Sequence, residues 1–368
     1  MSPSSTSAAN PSSSVDSETE LVLSRLPVAV LRGGRSSERE VSLRSGEAML
    51  EALRSASSRD DRRGPAQVFD VECCVDGRWK LGAHVSWPGE CISALDPRTV
   101  FALALHGGEG ENGTIQGLLE SHRRIYTGSG VVASALCMNK HATRLVLQQA
   151  SLTVARARLI DALDWRSKRD AILSDVMRLS DDGWSVKPNA GGSSVSTFLI
   201  AKKDELGDAI DAVLATGDRV LVERRIVGAE ATCAVLGNHR ATVRALSPVE
   251  IVPHAGRFFD YDEKYSTGGA DEFCPPRGIS PSTCARIREL SCIAHRAAAC
   301  DGYSRIDYIV PRTRAGDESE PVVLEINTLP GMTSRSLMPK AAATEGMSLR
   351  DLLLEILALA VARRGAVS

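Results

Sequence analysis

The sequence has neither a strong charge imbalance nor a long apolar run. Its 368 residues include 44 Lys and Arg and 46 Asp and Glu, which gives a formal net charge of −2. There is no basic block beyond short pairs such as Arg363-Arg364, so we predict no binding to nucleic acid. The longest apolar run, residues 352–362, contains Glu355 and is too short to span a bilayer, so we predict no membrane association.

Cysteine pairs of the C-x-x-C type are missing, although the chain has nine cysteines. A zinc site is therefore poorly supported, and scattered thiols in odd number suit a reducing cytoplasm. Residues 1–20 are rich in serine and lack both an apolar core and an early positive charge, which excludes a standard signal peptide. The acids Asp16, Glu18 and Glu20 disfavour a plastid transit peptide. We expect a cytoplasmic protein with a disordered tail over residues 1–25.

Two nucleotide-binding fingerprints are absent. No G-x-x-x-x-G-K-[ST] segment occurs anywhere, and no G-x-G-x-x-G segment follows the first predicted strand. These absences exclude a P-loop and a dehydrogenase that binds its dinucleotide through that fingerprint. The sequence also contains no internal repeat.

What the chain does contain is an alternation of strand and helix patterns. The segments "LPVAVLRGG" and "RTVFALALHGG" predict buried strands that run into glycine-rich loops. A helix is predicted after each, and the first has Ser36 or Ser37 as its cap. This alternation predicts a parallel sheet with ligand-binding loops at the carboxyl ends of its strands. Further on, "SALCMNKHATRLVLQQA" predicts one helix, and "EATCAVLG" with "HRATVRALSPVEIV" predicts antiparallel strands.

Acidic and amide side chains lie within two apolar strands near the C-terminus, "SRIDYIV" and "VVLEIN". Glu325 and Asn327 are two residues apart, so their side chains point to the same face of the strand. With Asp307 they offer the oxygen ligands that magnesium prefers. A charged residue inside an apolar strand is costly unless it is paired or bound to metal. The alternative, a structural salt bridge from Asp307 or Glu325 to Arg305, is equally compatible with these residues.

A glycine- and serine-rich segment, "VKPNAGGSSVST", separates two predicted strands that form a hairpin. Gly191 and Gly192 expose backbone N–H groups that can surround an anion, and Lys187 adds a compact positive charge. This pattern is typical of a phosphate-binding loop. Taken alone, a flexible hairpin turn explains the same residues better.

Two strand-to-helix junctions carry polar side chains. Glu38 follows Gly33-Gly34 at the start of the first helix, and His106 begins the loop "HGGEGENG". Acids are common at helix starts because they interact favourably with the helix dipole, and a lone histidine is usually structural. Neither residue alone indicates catalysis.

The order of the motifs along the chain is more specific than any one of them. In sequence they are "LRGGRSSEREVSLRSG", "ALHGGEGENGTIQGLLE", "YTGSG", "VKPNAGGSSV", "VERRIVGAE", "DYDEKY" and "LEINTLPGMTS". Taken together, these motifs make the chain resemble the D-alanine–D-alanine ligase family of the ATP-grasp superfamily. The resemblance covers residues 28–360.

The resemblance implies an ATP-grasp fold of the α/β class, with α+β character in the ATP-binding part and a Rossmann-like N-terminal domain. It implies a substrate domain over residues 26–135, a lid domain over 136–223, and a C-terminal domain with the metal and catalytic site over 224–368. The implied reaction joins two D-alanines through an acyl phosphate. It uses ATP and two Mg²⁺ ions, with Mn²⁺ as a substitute, and the implied assembly is a homodimer.

The resemblance also assigns roles to single residues. Those implied in catalysis are Glu38, Ser193, Tyr265, Arg305 and Gly331. Those implied to contact the D-alanines are His106, Lys264, Ser336 and Leu337. Those implied to bind ATP are Lys140, Lys187, Gly191, Gly192, Ser194, Glu223, Arg224, Ile226 and Glu230. Those implied to hold the metal ions are Asp307, Glu325 and Asn327.

Some positions depart from the family pattern or leave alternatives open. Arg224 occupies a position where lysine is usual, which preserves charge but changes geometry. The resemblance implies that Tyr265 favours an amine over a hydroxyl as the attacking group, so D-lactate is disfavoured, while D-serine as second substrate stays open. A non-catalytic ATP-binding protein is a further alternative, but it predicts a lost metal ligand or oxyanion group, and none is lost.

Overall fold

The computed structural model describes residues 23–55, 64–191, 197–253, 270–313 and 315–365. The predicted tail lies almost wholly outside these ranges. Within them, no helix combines the length and the apolar character that crossing a membrane requires. The described residues form three sheets with helices packed against them.

The first sheet contains the parallel strands predicted from the N-terminal part of the sequence. Its strands are β1 Pro27–Gly33, β2 Gln67–Cys73, β3 Trp79–Leu81, β4 His84–Ser86, β5 Val100–Leu103 and β6 Ile125–Tyr126. They are ordered β4-β3-β2-β1-β5-β6. β1, β2, β5 and β6 run parallel, and β3 and β4 add an antiparallel edge. The near-continuous burial of β1 and β5 is what a parallel sheet covered on both faces requires.

Helices from both ends of the chain cover this sheet. Those near the N-terminus are α1 Arg39–Arg54, α2 Pro88–Ala94, α3 Gly108–Glu111 and α4 Thr114–Ser121. The C-terminal helix, which we number α11, spans Leu349–Gly365 and packs on α1, β5 and β6. Its leucines Leu352, Leu353 and Leu357 belong to the same apolar core as β1 and β5. The two ends of the chain therefore stabilise one layered unit.

The second sheet is small and antiparallel. Its strands are β7 Ala157–Ile160, β8 Trp184–Pro188, β9 Phe198–Ile200 and β10 Val220–Arg224, in the order β7-β10-β8-β9. The helices α7 Ala162–Met177 and α8 Leu206–Leu214 pack on one face through Trp165, Ile172 and Ile210. The predicted hairpin of β8 and β9 is confirmed, with Val186 opposite Phe198.

The third sheet carries the C-terminal strands that contain the acidic residues. Its strands are β11 Gly228–Gly237, β12 Val243–Ala245, β13 Val249–Val252, β14 Asp271–Phe273, β15 Tyr303–Pro311 and β16 Val322–Asn327. The order is β14-β13-β11-β15-β16, and β12 also pairs with β11. The helices near it are α5 Val131–Met138, α6 Lys140–Gln149, α9 Pro281–Ala297 and α10 Leu337–Thr344. The predicted antiparallel pairing of β11 with β12 and β13 is confirmed, and β14, β15 and β16 also pair in antiparallel fashion.

Two details of the helix prediction are wrong. The N-cap of α1 is Glu38, not Ser36 or Ser37; Ser36 instead accepts the Glu38 N–H at 3.2 Å and donates to the carbonyl of His106 at 2.5 Å. The predicted single helix around residue 139 is two helices, α5 and α6. Asn139 breaks it because it leaves the helical region and caps α6, accepting the Ala142 N–H at 3.0 Å.

Candidate active site

A cavity of about 710 Å³ is lined by residues of the second and third sheets, and by residues of α1 and of the loops that follow β1 and β5. The turn between β1 and α1 contributes Glu38, β8 and β10 contribute Lys187 and Glu223, and β15 and β16 contribute Asp307 and Glu325. Of the predicted site residues that the structure describes, all line this cavity except Gly191. Gly192, Ser193, Ser194, Lys264 and Tyr265 lie outside the described ranges.

The pairing of β15 with β16 brings the three predicted metal ligands together. Asp307 lies opposite Glu325, and Arg305 lies opposite Asn327. The Arg305 guanidinium donates from Nε and Nη2 to the two carboxylate oxygens of Asp307, each at 2.8 Å. Thr232 donates to Asp307 Oδ1 at 2.6 Å, and Lys140 Nζ lies 3.7 Å from Glu325 Oε2. The salt bridge considered as an alternative is therefore present, in the same place as the proposed metal ligands.

This donor set fits magnesium. Two carboxylates and one amide oxygen line the cavity, and Mg²⁺ binds through few protein oxygens while substrate phosphates and water complete its shell. In the described part of the chain no three His, Cys, Asp or Glu side chains converge as ligands, and the third ligand of this set would be the amide of Asn327. The ion pair with Arg305 keeps the Asp307 carboxylate oriented along the strand.

Glu223 lies at the centre of a buried group of charges. Its Oε2 is 2.6 Å from Lys187 Nζ, and its Oε1 accepts from Arg144 Nη1 at 2.7 Å. Burial alone would raise the pKa of Glu223, but the charges of Lys187 and Arg144 outweigh it and hold that pKa below its ordinary value. Arg144 also donates to the carbonyl of Ala155. The carboxylate is therefore ionised and fixed in position at the cavity wall.

Sequence reasoning missed Arg144. It lies four residues after Lys140 in α6, so both side chains project from the same face of the helix. The four-residue spacing from Lys140 could have identified Arg144 as a second cation on the same side of the helix. What the sequence does not reveal is that the face turns toward β10, because Arg144 and Glu223 are 79 residues apart.

Lys140 begins α6 and reaches the loop after β8. Its Nζ donates to the carbonyl of Gly191, and it lines the cavity beside Lys187. Two ammonium groups on one wall provide the positive charge that a polyphosphate needs. Gly191, whose φ is 112°, marks the start of the glycine-serine segment.

The end of β10, the segment that follows it and the start of β11 contribute Arg224, Ile226 and Glu230 to the cavity wall. The Arg224 N–H donates to the carbonyl of Arg156 at 2.8 Å, which continues the pairing of β10 with the segment before β7. Glu230 lies on β11 opposite Ile309 of β15. An apolar side chain beside polar ones is the composition expected for a purine and ribose site.

Glu38 and His106 meet at the carboxyl ends of β1 and β5. Gly107, whose φ is 65°, comes close enough to Glu38 that a Cβ there would lie 3.2 Å from Oε2. His106 interacts through Nε2 with Ser45 Oγ at 2.8 Å and through Nδ1 with the Leu329 carbonyl at 3.0 Å. His106 is thus both a fully hydrogen-bonded structural residue and part of the cavity wall.

The segment between β16 and α10 contributes Gly331 and Ser336 to the wall, and the first residue of α10 contributes Leu337. Ser336 Oγ accepts the Thr333 N–H at 3.1 Å and hydrogen-bonds Thr333 Oγ1 at 2.8 Å. A Cβ on Gly331 would lie 2.7 Å from Ser336 Oγ, so only glycine fits here without displacing that serine. This places the Gly331 main chain at the cavity surface.

The comparisons with known proteins agree with this geometry. The family model for the D-ala D-ala ligase C-terminus matches residues 146–358. The D-alanine–D-alanine ligase of Xanthobacter autotrophicus is 40% identical over 328 residues, which cover 88% of this chain and 95% of that protein. The D-alanine–D-alanine ligase of Bacillus anthracis complexed with ATP superposes with a TM-score of 0.71 at 26% identity, covering 94% of this chain and 100% of that one.

A third similar structure has a different second substrate in its name. The VanG D-Ala:D-Ser ligase of Enterococcus faecalis has a TM-score of 0.75 at 26% identity, over 91% of this chain and 99% of that one. With its three sheets and shared cavity, the protein is an ATP-grasp enzyme. More specifically, the chain belongs to the D-alanine–D-alanine ligase family.

Proposed function

We propose that this enzyme joins two D-alanines to D-alanyl-D-alanine at the expense of ATP, for the synthesis of peptidoglycan precursors. The observation that carries the proposal is the shared cavity. Side chains suited to phosphate (Lys140, Lys187), to a hard cation (Asp307, Glu325) and to an amino group (Glu38) line the same space.

In the first step, a carboxylate oxygen of the first D-alanine attacks the γ-phosphorus of ATP. The bond from that phosphorus to the bridging oxygen breaks, and an acyl phosphate and ADP result. Glu38 is 8% exposed at the cavity wall and is the partner we assign to the ammonium of this D-alanine. A buried carboxylate suits a cation because it compensates the charge that both groups would otherwise bury.

The phosphates are the anionic part of the substrates, and we assign them to Lys140 and Lys187. Both ammonium groups are held by acids, Lys140 near Glu325 and Lys187 against Glu223. Such prior orientation reduces the cost of ordering these flexible side chains when ATP binds. Magnesium held by Asp307, Glu325 and Asn327 would neutralise phosphate charge.

In the second step, the amine of the second D-alanine attacks the acyl carbonyl carbon, and phosphate leaves from the tetrahedral intermediate. We assign the negatively charged oxygen of that intermediate to the Arg305 guanidinium and the Gly331 N–H. Donors held in place before the reaction contribute more than mobile ones, because they need no reorganisation in the transition state. The bidentate pair with Asp307 supports this assignment, since it fixes the orientation of the guanidinium.

A second candidate has D-serine in place of the second D-alanine. It is favoured by the similarity to the VanG D-Ala:D-Ser ligase. The two products differ by one hydroxyl, and a pocket discriminates weakly against an added hydroxyl. Both candidates use the same residues for ATP and for the first D-alanine.

The test is phosphate release from ATP as a function of added D-amino acids. We expect release that depends on D-alanine and on Mg²⁺, with D-alanyl-D-alanine identified by mass. A mixture of D-alanine and D-serine separates the two candidates by the mass of the main product. ATP binding without any dipeptide would contradict both. The proposed homodimer is checked separately by light scattering.

A further inference from the structure

A buried chain of hydrogen bonds joins α1 to the segment that carries Gly331. His106 Nδ1 contacts the Leu329 carbonyl at 3.0 Å, and His106 Nε2 contacts Ser45 Oγ at 2.8 Å. Ser45 Oγ in turn accepts the Met332 N–H at 3.3 Å. Ser45 is fully buried, and His106, Leu329 and Met332 are at most 6% exposed.

The direction of these bonds follows from the chemistry of the groups. A carbonyl oxygen can only accept, so Nδ1 of His106 donates to Leu329, and in the tautomer that carries its proton on Nδ1 the Nε2 atom is an acceptor. The Ser45 hydroxyl then donates to Nε2, while its oxygen accepts the Met332 N–H. Ser45 Oγ therefore has two hydrogen-bond partners, His106 Nε2 and the Met332 N–H, while His106 Nδ1 bonds to the Leu329 carbonyl.

The two ends of this chain hold the segment on both sides of Gly331. The Leu329 carbonyl lies two residues before that glycine, and the Met332 N–H belongs to the residue after it. Ser45 and Met332 are 287 residues apart in sequence, so this contact ties the first sheet unit to the cavity wall formed after β16. A buried hydrogen bond of this kind is costly to break, because both groups then stay buried without a partner.

We propose that Ser45 is a positioning residue that holds the Gly331 N–H at the place where the negatively charged oxygen forms. The inference rests on the proposed function, since it concerns the same oxyanion site. Ser45 acts through Met332 and His106 and does not itself line the cavity. It therefore affects the reaction step more than the binding of ATP.

The experiment compares Ser45→Ala with the matched variant Ser42→Ala. Ser42 is equally buried on the same helix, but its hydroxyl donates to the Ala104 carbonyl at 2.8 Å and accepts the Gly33 N–H at 2.8 Å. We expect Ser45→Ala to lower kcat about 10- to 100-fold, less than the ~100- to 1,000-fold typical of losing an oxyanion donor, because the donor is displaced but kept. KM for ATP stays within about twofold.

The second readout is the binding of a phosphinic acid dipeptide that mimics the tetrahedral intermediate. We expect its affinity to fall in parallel with kcat in Ser45→Ala, and not in Ser42→Ala. Equal effects of the two variants on kcat and on this affinity would overturn the proposal, because that is what a purely structural role predicts.

A third readout does not depend on ligase activity. Hydrogen exchange of the peptide that spans residues 328–336 should become faster in Ser45→Ala and stay unchanged in Ser42→Ala. Unchanged hydrogen exchange in Ser45→Ala would overturn the proposal, whether or not the wild type makes a dipeptide. Absence of dipeptide formation by the wild type would refute only the proposed function. If Ser45→Ala does not fold, the near-isosteric Ser45→Cys takes its place, since a thiol is a weak donor and acceptor. If Ser45→Cys had the same kcat and the same hydrogen-exchange rate as the wild type, the proposal would also be overturned.

Discussion

Asp307 and Glu325 lie directly opposite each other on β15 and β16, and both carboxylates face the cavity. The strand pairing alone brings the two acids together, although 17 residues separate them in the chain. Arg305, two residues earlier on β15, neutralises Asp307 through two hydrogen bonds of 2.8 Å. The arrangement stabilises two neighbouring acids in a largely apolar sheet.

The metal assignment predicts the effect of Glu325→Gln. The amide keeps the shape of the side chain but removes the charge that attracts a divalent ion. We expect kcat to fall at least about 100-fold, the upper range seen for residues that only support metal ligands, and the Mg²⁺ requirement to rise. The measurement is phosphate release over a Mg²⁺ titration. Glu320→Gln, an exposed acid paired with Arg286, is the control and should leave both unchanged. A near-normal rate in Glu325→Gln would contradict the assignment.

The buried charges around Glu223 predict that Arg144→Gln destabilises the fold and weakens ATP binding. The change leaves a Glu223 oxygen and the Ala155 carbonyl without their donor, which costs about 1–3 kcal/mol of unfolding free energy. The pKa of Glu223 rises because one of the three cations that lower it is gone, and only Lys187 and Lys140 stay. Urea unfolding measures the stability, and KM for ATP measures the binding.

The control for Arg144→Gln is Arg158→Gln. Arg158 pairs with Asp175 at the surface, where both side chains are more than one-third exposed. Exposed pairs of this kind contribute about 0–1 kcal/mol. A comparable loss of unfolding free energy in the two variants would show that the buried ion pair of Arg144 contributes no more to stability than the exposed pair of Arg158.

A pH dependence of stability follows from His295, which lies fully buried in α9. Burial lowers its pKa from 6.5 to about 4, although the hydrogen bond to the Gly237 carbonyl opposes the shift. Between these values the unfolded chain binds a proton that the native protein does not, so stability decreases as the pH falls from 6.5 toward 4. The full loss is about 3 kcal/mol.

The measurement for His295 is urea unfolding at several pH values between 7 and 4. We expect the wild type to lose more stability over this range than His295→Asn, which cannot titrate. Parallel pH profiles of the two proteins would rule out the contribution of this histidine.

Selectivity for the second substrate leads to a prediction for Tyr265, which lies outside the described residues. Its assignment comes from the family resemblance, in which this tyrosine favours an amine over a hydroxyl as the attacking group. We expect Tyr265→Phe to form more depsipeptide from D-alanine and D-lactate than the wild type. Mass analysis of the products decides, and an unchanged ratio of depsipeptide to dipeptide would refute the role.

Much of the fold was accessible from local patterns. The buried strands β1 and β5 and the hairpin of β8 and β9 were predicted correctly, because uninterrupted or alternating apolar residues constrain a strand wherever it lies. The two errors at α1 and at Asn139 have local causes that composition does not reveal. Glu38 is the N-cap of α1 through its backbone position alone, without a hydrogen bond from its side chain. Asn139 follows the last residue of α5 and caps α6 through its side chain.

The sequence by itself determined the alternation of strands and helices in the N-terminal part, the spacing of Glu325 and Asn327, and the motifs that carry the family resemblance, because these are properties of short segments. Only the tertiary structure decided that Arg144 pairs with Glu223 and that Ser45 holds Met332. Contacts of this kind join side chains that are far apart in the chain. Their partners depend on how the helices and sheets pack, and no short segment encodes that packing.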